Sequence, residues 1–140
     1  MQLKELLLYN NMSGDEGGAS IGKLLAKMPS MERFQMASSR VGSDGVCHLV
    51  KGLCSATGLL SLDLNDNPAT EECIPEIITL LQNQHQLRRL NLSDTSLGDQ
   101  GVQNLAAALV STAPDLEVGR TVREKRLDWK CTAGIGAGFE

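Results

Sequence analysis

The fold is decided by a nine-residue stretch, Leu59-Leu60-Ser61-Leu62-Asp63-Leu64-Asn65-Asp66-Asn67. It has leucine at its first, fourth and sixth positions and asparagine at its ninth. The same skeleton starts at residues 3, 31, 59 and 87, so the copies follow one another at a constant step, which we call the repeat period. Such a fixed period predicts a repeat architecture rather than an ordinary mixed core. The skeleton residues are Leu3, Leu6, Leu8 and Asn11, then Met31, Phe34, Met36 and Ser39, then Leu59, Leu62, Leu64 and Asn67, and finally Leu87, Leu90, Leu92 and Thr95.

The second half of each unit keeps the same step. Ile21, Leu49, Ile77 and Leu105 are each separated by one repeat period, and a leucine follows each of them one helical turn later, at positions 25, 53, 81 and 109. The alternating leucines predict a short strand, and the spacing of one turn predicts an amphipathic helix. We therefore predict an α/β leucine-rich repeat solenoid of the ribonuclease-inhibitor type, with a parallel concave sheet and convex helices.

The repeats are predicted to occupy residues 1–118, where Leu116 opens the remnant of a fifth unit. Residues 119–140 are first charged and then rich in glycine, and we predict that they form an irregular, disordered tail. The glycine run at 134–138 follows no predicted strand, so we expect no nucleotide site there.

Polar residues at the end of each skeleton are predicted to satisfy backbone groups where the strand turns away. Asn11 and Asn67 fit that role, whereas Ser39 and Thr95 have shorter side chains and should complete it less well. The third repeat carries Thr70 and Cys73 where other repeats have turn glycines. Pro75 is expected in the first turn of the helix that follows.

The composition excludes several functional classes. The chain has 22 leucines but four aromatic residues, a net charge of -4 and a mean hydropathy of -0.12. It has no apolar run of about 18–20 residues, so membrane insertion is not expected. An acidic chain without a basic run is a poor nucleic-acid binder. Residues 1–5 are not typical of a secretion signal, and we expect a cytoplasmic protein.

The four cysteines predict no metal site. Cys47, Cys54, Cys73 and Cys131 form no CxxC pair, and His48 and His85 lie far apart in the sequence. A zinc site needs four ligands at matched short spacings. We expect free thiols in a reducing compartment.

Two consecutive repeats carry a family resemblance. Residues 3–17, LKELLLYNNMSGDEG, resemble the N-N-x-x-G-x-x-G segment of the Ran GTPase-activating proteins, especially their plant and algal forms. Residues 31–45, which include SSRVG, are similar to the repeat that follows in that family. The resemblance covers about residues 3–118. The family has more repeats than the four here, and its acidic C-terminal tail is absent from this chain.

The resemblance implies a function. These proteins stimulate GTP hydrolysis by the small GTPase Ran, which supports nucleocytoplasmic transport. They are not enzymes with their own active site, and they need no cofactor, because the partner holds GTP and magnesium. The expected partner is Ran, with or without a Ran-binding protein. The expected state is a monomer in the cytoplasm, with the nuclear envelope as an alternative location.

The resemblance also implies a set of site residues. Asn10 matches the asparagine that orients the catalytic glutamine of Ran, and Arg40 matches an arginine of the family. An amide can hold a glutamine carboxamide through a paired donor and acceptor, and GTP hydrolysis depends mainly on positioning and electrostatics. Arg40 is expected one strand across and one position further on, about 5–6 Å from Asn10. Asp66 and Asp94 continue the periodic series that starts at Asn10 and are predicted partner contacts.

Other interpretations stay open for these residues and for the chain. Asn10 can be a turn residue that makes only local bonds. The acidic rim can be the polar face that any soluble solenoid needs. The chain can be a generic protein-interaction scaffold for another partner, or a fragment without activity. An independent enzyme is not expected, because the sequence has no nucleophile–base pair and no phosphate loop.

Overall fold

The computed structural model describes residues 2–112, and this range contains four strand–helix units. The strands form one parallel sheet in the order β1-β2-β3-β4. The α/β leucine-rich repeat architecture is confirmed. The elements are β1 (Glu5–Tyr9), α1 (Gly14–Leu25), β2 (Arg33–Ala37), α2 (Ser43–Leu53), β3 (Ser61–Asp63), a 3₁₀ helix (Glu71–Cys73), α3 (Ile74–Asn83), β4 (Arg89–Asn91) and α4 (Gly98–Thr112).

The strands pair in a register equal to the sequence period. Glu5 pairs with Arg33, Arg33 with Ser61, and Ser61 with Arg89, so every step across the sheet is one repeat period along the chain. Equivalent residues of the four repeats therefore lie in columns across the strands. Because side chains alternate between the two faces of a strand, whole columns point either toward the helices or toward the open face of the sheet.

The inward columns form the core with the helices. Phe34, Met36, Leu62 and Leu64 are fully buried, and fully burying a side chain of this size stabilises a fold by about 1.5–3 kcal/mol. Leu6 and Leu8 of β1 are only half-buried. They pack less completely because β1 has a neighbouring strand on one side only within the described residues. Leu105 and Leu109 of α4 are buried, as the helical spacing predicted.

The first two helices pack through glycine. A Cβ atom added at Gly22 would lie 2.4 Å from the carbonyl oxygen of His48, and one added at Gly52 would lie 2.2 Å from the carbonyl oxygen of Gly22. No side chain fits at either position without moving a backbone. The glycines therefore let α1 and α2 approach closely, which brings the first and second repeats together.

Asn67 ties the third repeat to the second. Its side chain is 1% exposed, and its Oδ1 accepts hydrogen bonds from the backbone N–H groups of Ser39 and Val41, both at 3.1 Å. Its Nδ2 donates to the carbonyl oxygens of Met36 at 2.6 Å and Leu64 at 3.0 Å. The hydroxyl groups of Ser39 and Thr95 donate only within their own repeats, to the carbonyl oxygens of Ala37 and Leu92, as their shorter side chains predicted.

The same role predicted for Asn11 is wrong. Asn11 is exposed, and its side chain makes no hydrogen bond with any described residue. The reason lies in the direction of the Asn67 hydrogen bonds, which run from one repeat to the one before it. Asn67 bonds to the repeat before its own, whereas Asn11 belongs to the first of the four described repeats.

The third repeat replaces turn glycines with a tighter turn. Thr70 precedes the 3₁₀ helix, and Cys73 ends it and leads directly into α3. Pro75 lies in the first turn of α3, as predicted, where its missing N–H has no intrahelical acceptor to lose. The predicted remnant at Leu116, the boundary at 118 and the predicted tail at 119–140 lie outside the described residues.

Replacing Asn67 with alanine should lower the free energy of unfolding by about 2–4 kcal/mol, because several buried backbone groups would lose their partner. The matched control is Asn11→Ala, which removes the same group from an exposed position and should cost less than about 0.5 kcal/mol. Urea unfolding followed by circular dichroism measures both values. An equal loss of unfolding free energy in the two variants would contradict the stabilising role of the Asn67 hydrogen bonds.

Candidate protein-binding surface

The chain turns in the left-handed conformation directly after each strand. The backbone φ is +51° at Asn10, +51° at Ser38, +53° at Asp66 and +54° at Asp94. These four residues are separated by the repeat period, so they form one column along the edge of the sheet. Apart from glycine, asparagine and aspartate adopt this conformation most readily. Asn10, Asp66 and Asp94 therefore have a backbone reason to be there, independent of any partner.

A second left-handed column lies two residues further on. Met12, Arg40 and Ser96 have φ values of +47°, +54° and +55°. Pro68 holds the same place in the third repeat, where its ring keeps φ negative. Arg40 is thus equivalent to Met12. The sequence predicted that Arg40 lies one position beyond the residue that faces Asn10. Because Tyr9 pairs with Ala37, Asn10 faces Ser38, and Arg40 lies two positions beyond it. The prediction is therefore wrong by one residue.

The two columns enclose an open groove of about 420 Å³, which we call the rim groove. Its lining brings together three of the four predicted site residues, Asn10, Arg40 and Asp66. Asp94 is exposed on the same edge but is not part of this lining. The complete lining is Asn10, Met12, Ser38, Arg40, Asp66 and Pro68.

The polar groups of the rim groove are available to a partner. Asn10 is exposed, and its side chain makes no hydrogen bond within residues 2–112. Arg40 is exposed and forms no salt bridge in the same range. Asn10 therefore serves the turn through its left-handed backbone, and its side chain makes no local hydrogen bond in the described part of the chain.

Three large apolar side chains are exposed next to these polar groups. Leu7 and Tyr9, on the open face of β1, are 44% and 51% exposed, and Met12 in the rim groove is 62% exposed. The Tyr9 hydroxyl donates to Oε1 of Gln35 on β2, which holds its ring along the sheet. We call Leu7, Tyr9 and Met12 the apolar patch.

The sequence reasoning did not single out the apolar patch, although the register contains the signal. Leu7 shares its column with Gln35, Asp63 and Asn91, which are all polar. A lone leucine in a polar column faces solvent, because the leucines at positions 6 and 8 already point inward. Met12 could have been found in the same way, as the residue one repeat period before Arg40.

Other polar residues on the open face are used by the fold. Oδ1 of Asp63 accepts the backbone N–H of Asn65 at 3.0 Å. Oδ1 of Asn91 accepts the backbone N–H and the hydroxyl of Ser93, at 3.1 and 2.7 Å. These bonds fix the ends of β3 and β4, so the two side chains are less available to a partner than Asn10 or Arg40.

Two further features bear on the class of function. Within the described residues, none of the helices has both the length and the apolar character needed to cross a bilayer. The same residues contain no cluster of three or more histidine, cysteine, aspartate or glutamate side chains placed to hold a metal ion.

The chain is similar in sequence to a leucine-rich repeat family and to two known proteins. A family model described as Leucine Rich repeat matches residues 83–106. Ribonuclease inhibitor of Sus scrofa is 25% identical over 145 aligned positions, which cover 82% of this chain and 32% of that protein. Protein CARMIL of Dictyostelium discoideum is 21% identical over 115 positions, which cover 79% of this chain and 11% of that protein. This chain thus spans a third or less of the length of these relatives.

Solved structures agree on the fold. The tropomodulin C-terminal domain of Caenorhabditis elegans superposes with a TM-score of 0.65 at 18% identity, covering 79% of this chain and 68% of that one. A structure titled Leiomodin-1 Actin-Binding Site 2 gives a TM-score of 0.68 at 19% identity, covering 79% and 66%. Together with the strand register, these similarities define an α/β leucine-rich repeat fold of the ribonuclease-inhibitor type.

Replacing Asp66 with alanine should lower the free energy of unfolding by about 1 kcal/mol, because alanine is strained at a φ of +53°. The control is Asp66→Gly, which removes the same carboxylate but accepts the left-handed conformation and should change stability by less than about 0.5 kcal/mol. Urea unfolding of both variants tests this. If the glycine variant is as unstable as the alanine variant, the stability of this turn depends on the carboxylate and not on the backbone conformation.

Proposed function

We propose that this chain is a protein-binding scaffold without a catalytic site of its own, and that it binds its partner through the apolar patch and the rim groove. The observation that carries this proposal is the exposure of Leu7, Tyr9 and Met12 beside Asn10 and Arg40, whose side chains have no partner within residues 2–112. Apolar side chains exposed within a polar surround are typical of interaction sites. Tyrosine, methionine and arginine are also enriched in protein interfaces.

The surface is held in place before any partner binds. The backbone N–H of Asn10 donates to the carbonyl oxygen of Ala37 at 3.1 Å, and the backbone N–H of Gly14 donates to the carbonyl oxygen of Ser39 at 3.2 Å. These bonds connect the turn of the first repeat to the second. Because little backbone has to be ordered on binding, more of the contact energy is available as affinity.

Ran is the first partner we propose, from the resemblance of residues 3–45. The exposed amide of Asn10 is free to meet a glutamine side chain, and Arg40 is free to meet an acidic residue. Actin is the second, because the leiomodin-1 structure with a similar fold is titled as an actin-binding site. Stimulation of GTP hydrolysis is proposed as a separate step: it requires the Asn10 side chain, whereas binding to Ran does not depend on this residue alone.

Tyr9→Ala should weaken partner binding at least about tenfold, because a buried aromatic side chain at an interface commonly contributes more than about 1.4 kcal/mol. Binding is measured by biolayer interferometry against Ran loaded with a non-hydrolysable GTP analogue, Ran loaded with GDP, and monomeric actin. The control is Val110→Ser, which changes an exposed apolar residue on α4 and should leave affinity unchanged. If Tyr9→Ala binds as tightly as the unaltered chain, the apolar patch is not the interface. If neither Ran nor actin binds a folded chain, both partners are rejected.

Asn10→Gly tests the activator role separately. Glycine keeps the left-handed turn at residue 10 and removes only the amide, so it avoids the strain that Asn10→Ala would introduce. In a single-turnover assay with GTP-loaded Ran, the unaltered chain should accelerate hydrolysis, and Asn10→Gly should lose most of that acceleration while retaining binding. If the unaltered chain binds Ran but does not accelerate GTP hydrolysis, the activator role is rejected and the role of a binding scaffold is retained.

A further inference from the structure

We propose that Cys47 and Cys73 form a reversible disulfide that joins the second and third repeats on the helical side of the fold. The sulfur atoms of the two residues lie 3.0 Å apart. A disulfide bond is about 2.05 Å long, so the sulfurs need to approach by about 1 Å. This redox site is on the opposite layer from the proposed binding surface and does not depend on the proposed function.

The two thiols meet because the third repeat departs from the glycine pattern. Cys73 holds the position that is glycine in the other repeats, at residues 17, 45 and 101. A Cβ atom added at Gly45 would lie 2.4 Å from the Val41 side chain, which shows how little room this position has in the second repeat. In the third repeat the smaller Ala69 stands at the place of Val41, and the Cys73 side chain contacts Cys47 of α2.

Other contacts hold this junction in place. The hydroxyl groups of Ser43 and Thr70 lie 2.7 Å apart, and the Ser43 hydroxyl accepts the backbone N–H of Thr70 at 3.2 Å. The Lys51 ammonium lies 3.4 Å from a carboxylate oxygen of Glu76. Because these bonds flank the cysteines on both sides, the thiols stay close without a covalent link.

The environments of the two thiols assign them different roles. Cys47 is half-buried, so a small oxidant in solvent can reach it. Cys73 is fully buried, and its thiol donates to the carbonyl oxygen of Ser43 at 2.9 Å. Burial, together with the hydrogen bond from Cys47, raises the pKa of the Cys73 thiol. Cys47 is therefore the attacking thiol and Cys73 the resolving one.

The chemistry is exchange with a small disulfide such as oxidised glutathione. The Cys47 thiolate attacks one glutathione sulfur, which breaks the glutathione disulfide and releases one glutathione thiolate. Cys73 then loses its proton to solvent and attacks the Cys47 sulfur, which releases the second glutathione. The two protein thiols are oxidised by two electrons, and one oxidised glutathione is reduced to two glutathione molecules, which take up the two protons.

Peptide mapping tests the bond directly. The full chain is equilibrated in glutathione buffers from fully reduced to fully oxidised, alkylated, and digested with trypsin, which cuts after Arg40, Lys51 and Arg88. We expect the oxidised chain to give peptide 41–51 linked to peptide 52–88. Peptide 52–88 contains both Cys54 and Cys73, so Cys54→Ser is the matched control and should form the same link. No link at the most oxidising ratio would overturn the proposal, as would a link that persists in Cys73→Ser.

Thermal unfolding supplies the second measurement. Oxidation should raise the melting temperature by about 10 °C in the unaltered chain and in Cys54→Ser, because a loop between residues 47 and 73 is closed in the unfolded state. Cys47→Ser changes a half-buried side chain and should show no rise, so the test does not depend on whether Cys73→Ser folds. An equal rise in Cys47→Ser would reject the assigned pair.

Discussion

The parallel pairing of strands at an offset of one repeat period is the constraint on which the rest of the structure depends. Once Glu5 pairs with Arg33 and the register repeats, every equivalent residue falls into a column. The inward columns then supply the core, and the columns after the strands supply the rim. Asn67 reinforces this offset, because its side chain bonds to the strand end and the turn of the preceding repeat at once. A one-residue slip would turn every buried column toward solvent.

The rim shows how the backbone and a partner can favour the same residues. A left-handed turn after each strand favours asparagine, aspartate or glycine, and these are also residues that present a polar group to a partner. Residue type alone therefore does not separate a turn role from a binding role at Asn10 or Asp66. The two roles can be separated at Met12 and Arg40, because methionine and arginine have no preference for the left-handed conformation that both residues adopt. Their exposure is the observation on which the proposed binding surface rests.

The repeat made most of the fold predictable, because one unit used four times fixes strand, turn and helix positions together. The buried Leu105 and the first-turn Pro75 followed directly from it. Features that depend on two neighbouring repeats were harder to predict. Asn11 was misassigned because the predicted hydrogen bonds join two repeats, and Arg40 was misplaced because it lies two residues beyond Ser38, which faces Asn10. The cysteine pair was missed because Cys47 and Cys73 are distant in the sequence and meet only where the second and third repeats pack together.

The proposed disulfide follows, on the helical side, the two turns that line the rim groove in the second and third repeats. Arg40 precedes Ser43 by three residues, and Pro68 precedes Thr70 by two, so the Ser43–Thr70 bond lies between the groove and the cysteines. Oxidation would remove the thiol hydrogen that Cys73 donates to the Ser43 carbonyl and would replace it with a covalent link to α2. The second and third repeats would then be joined by a covalent bond on the helical side, in addition to the hydrogen bonds of Asn67 at the ends of the strands. Because backbone hydrogen bonds already hold the turns of the rim before a partner binds, the redox site and the proposed binding surface are two separate features of the same pair of repeats.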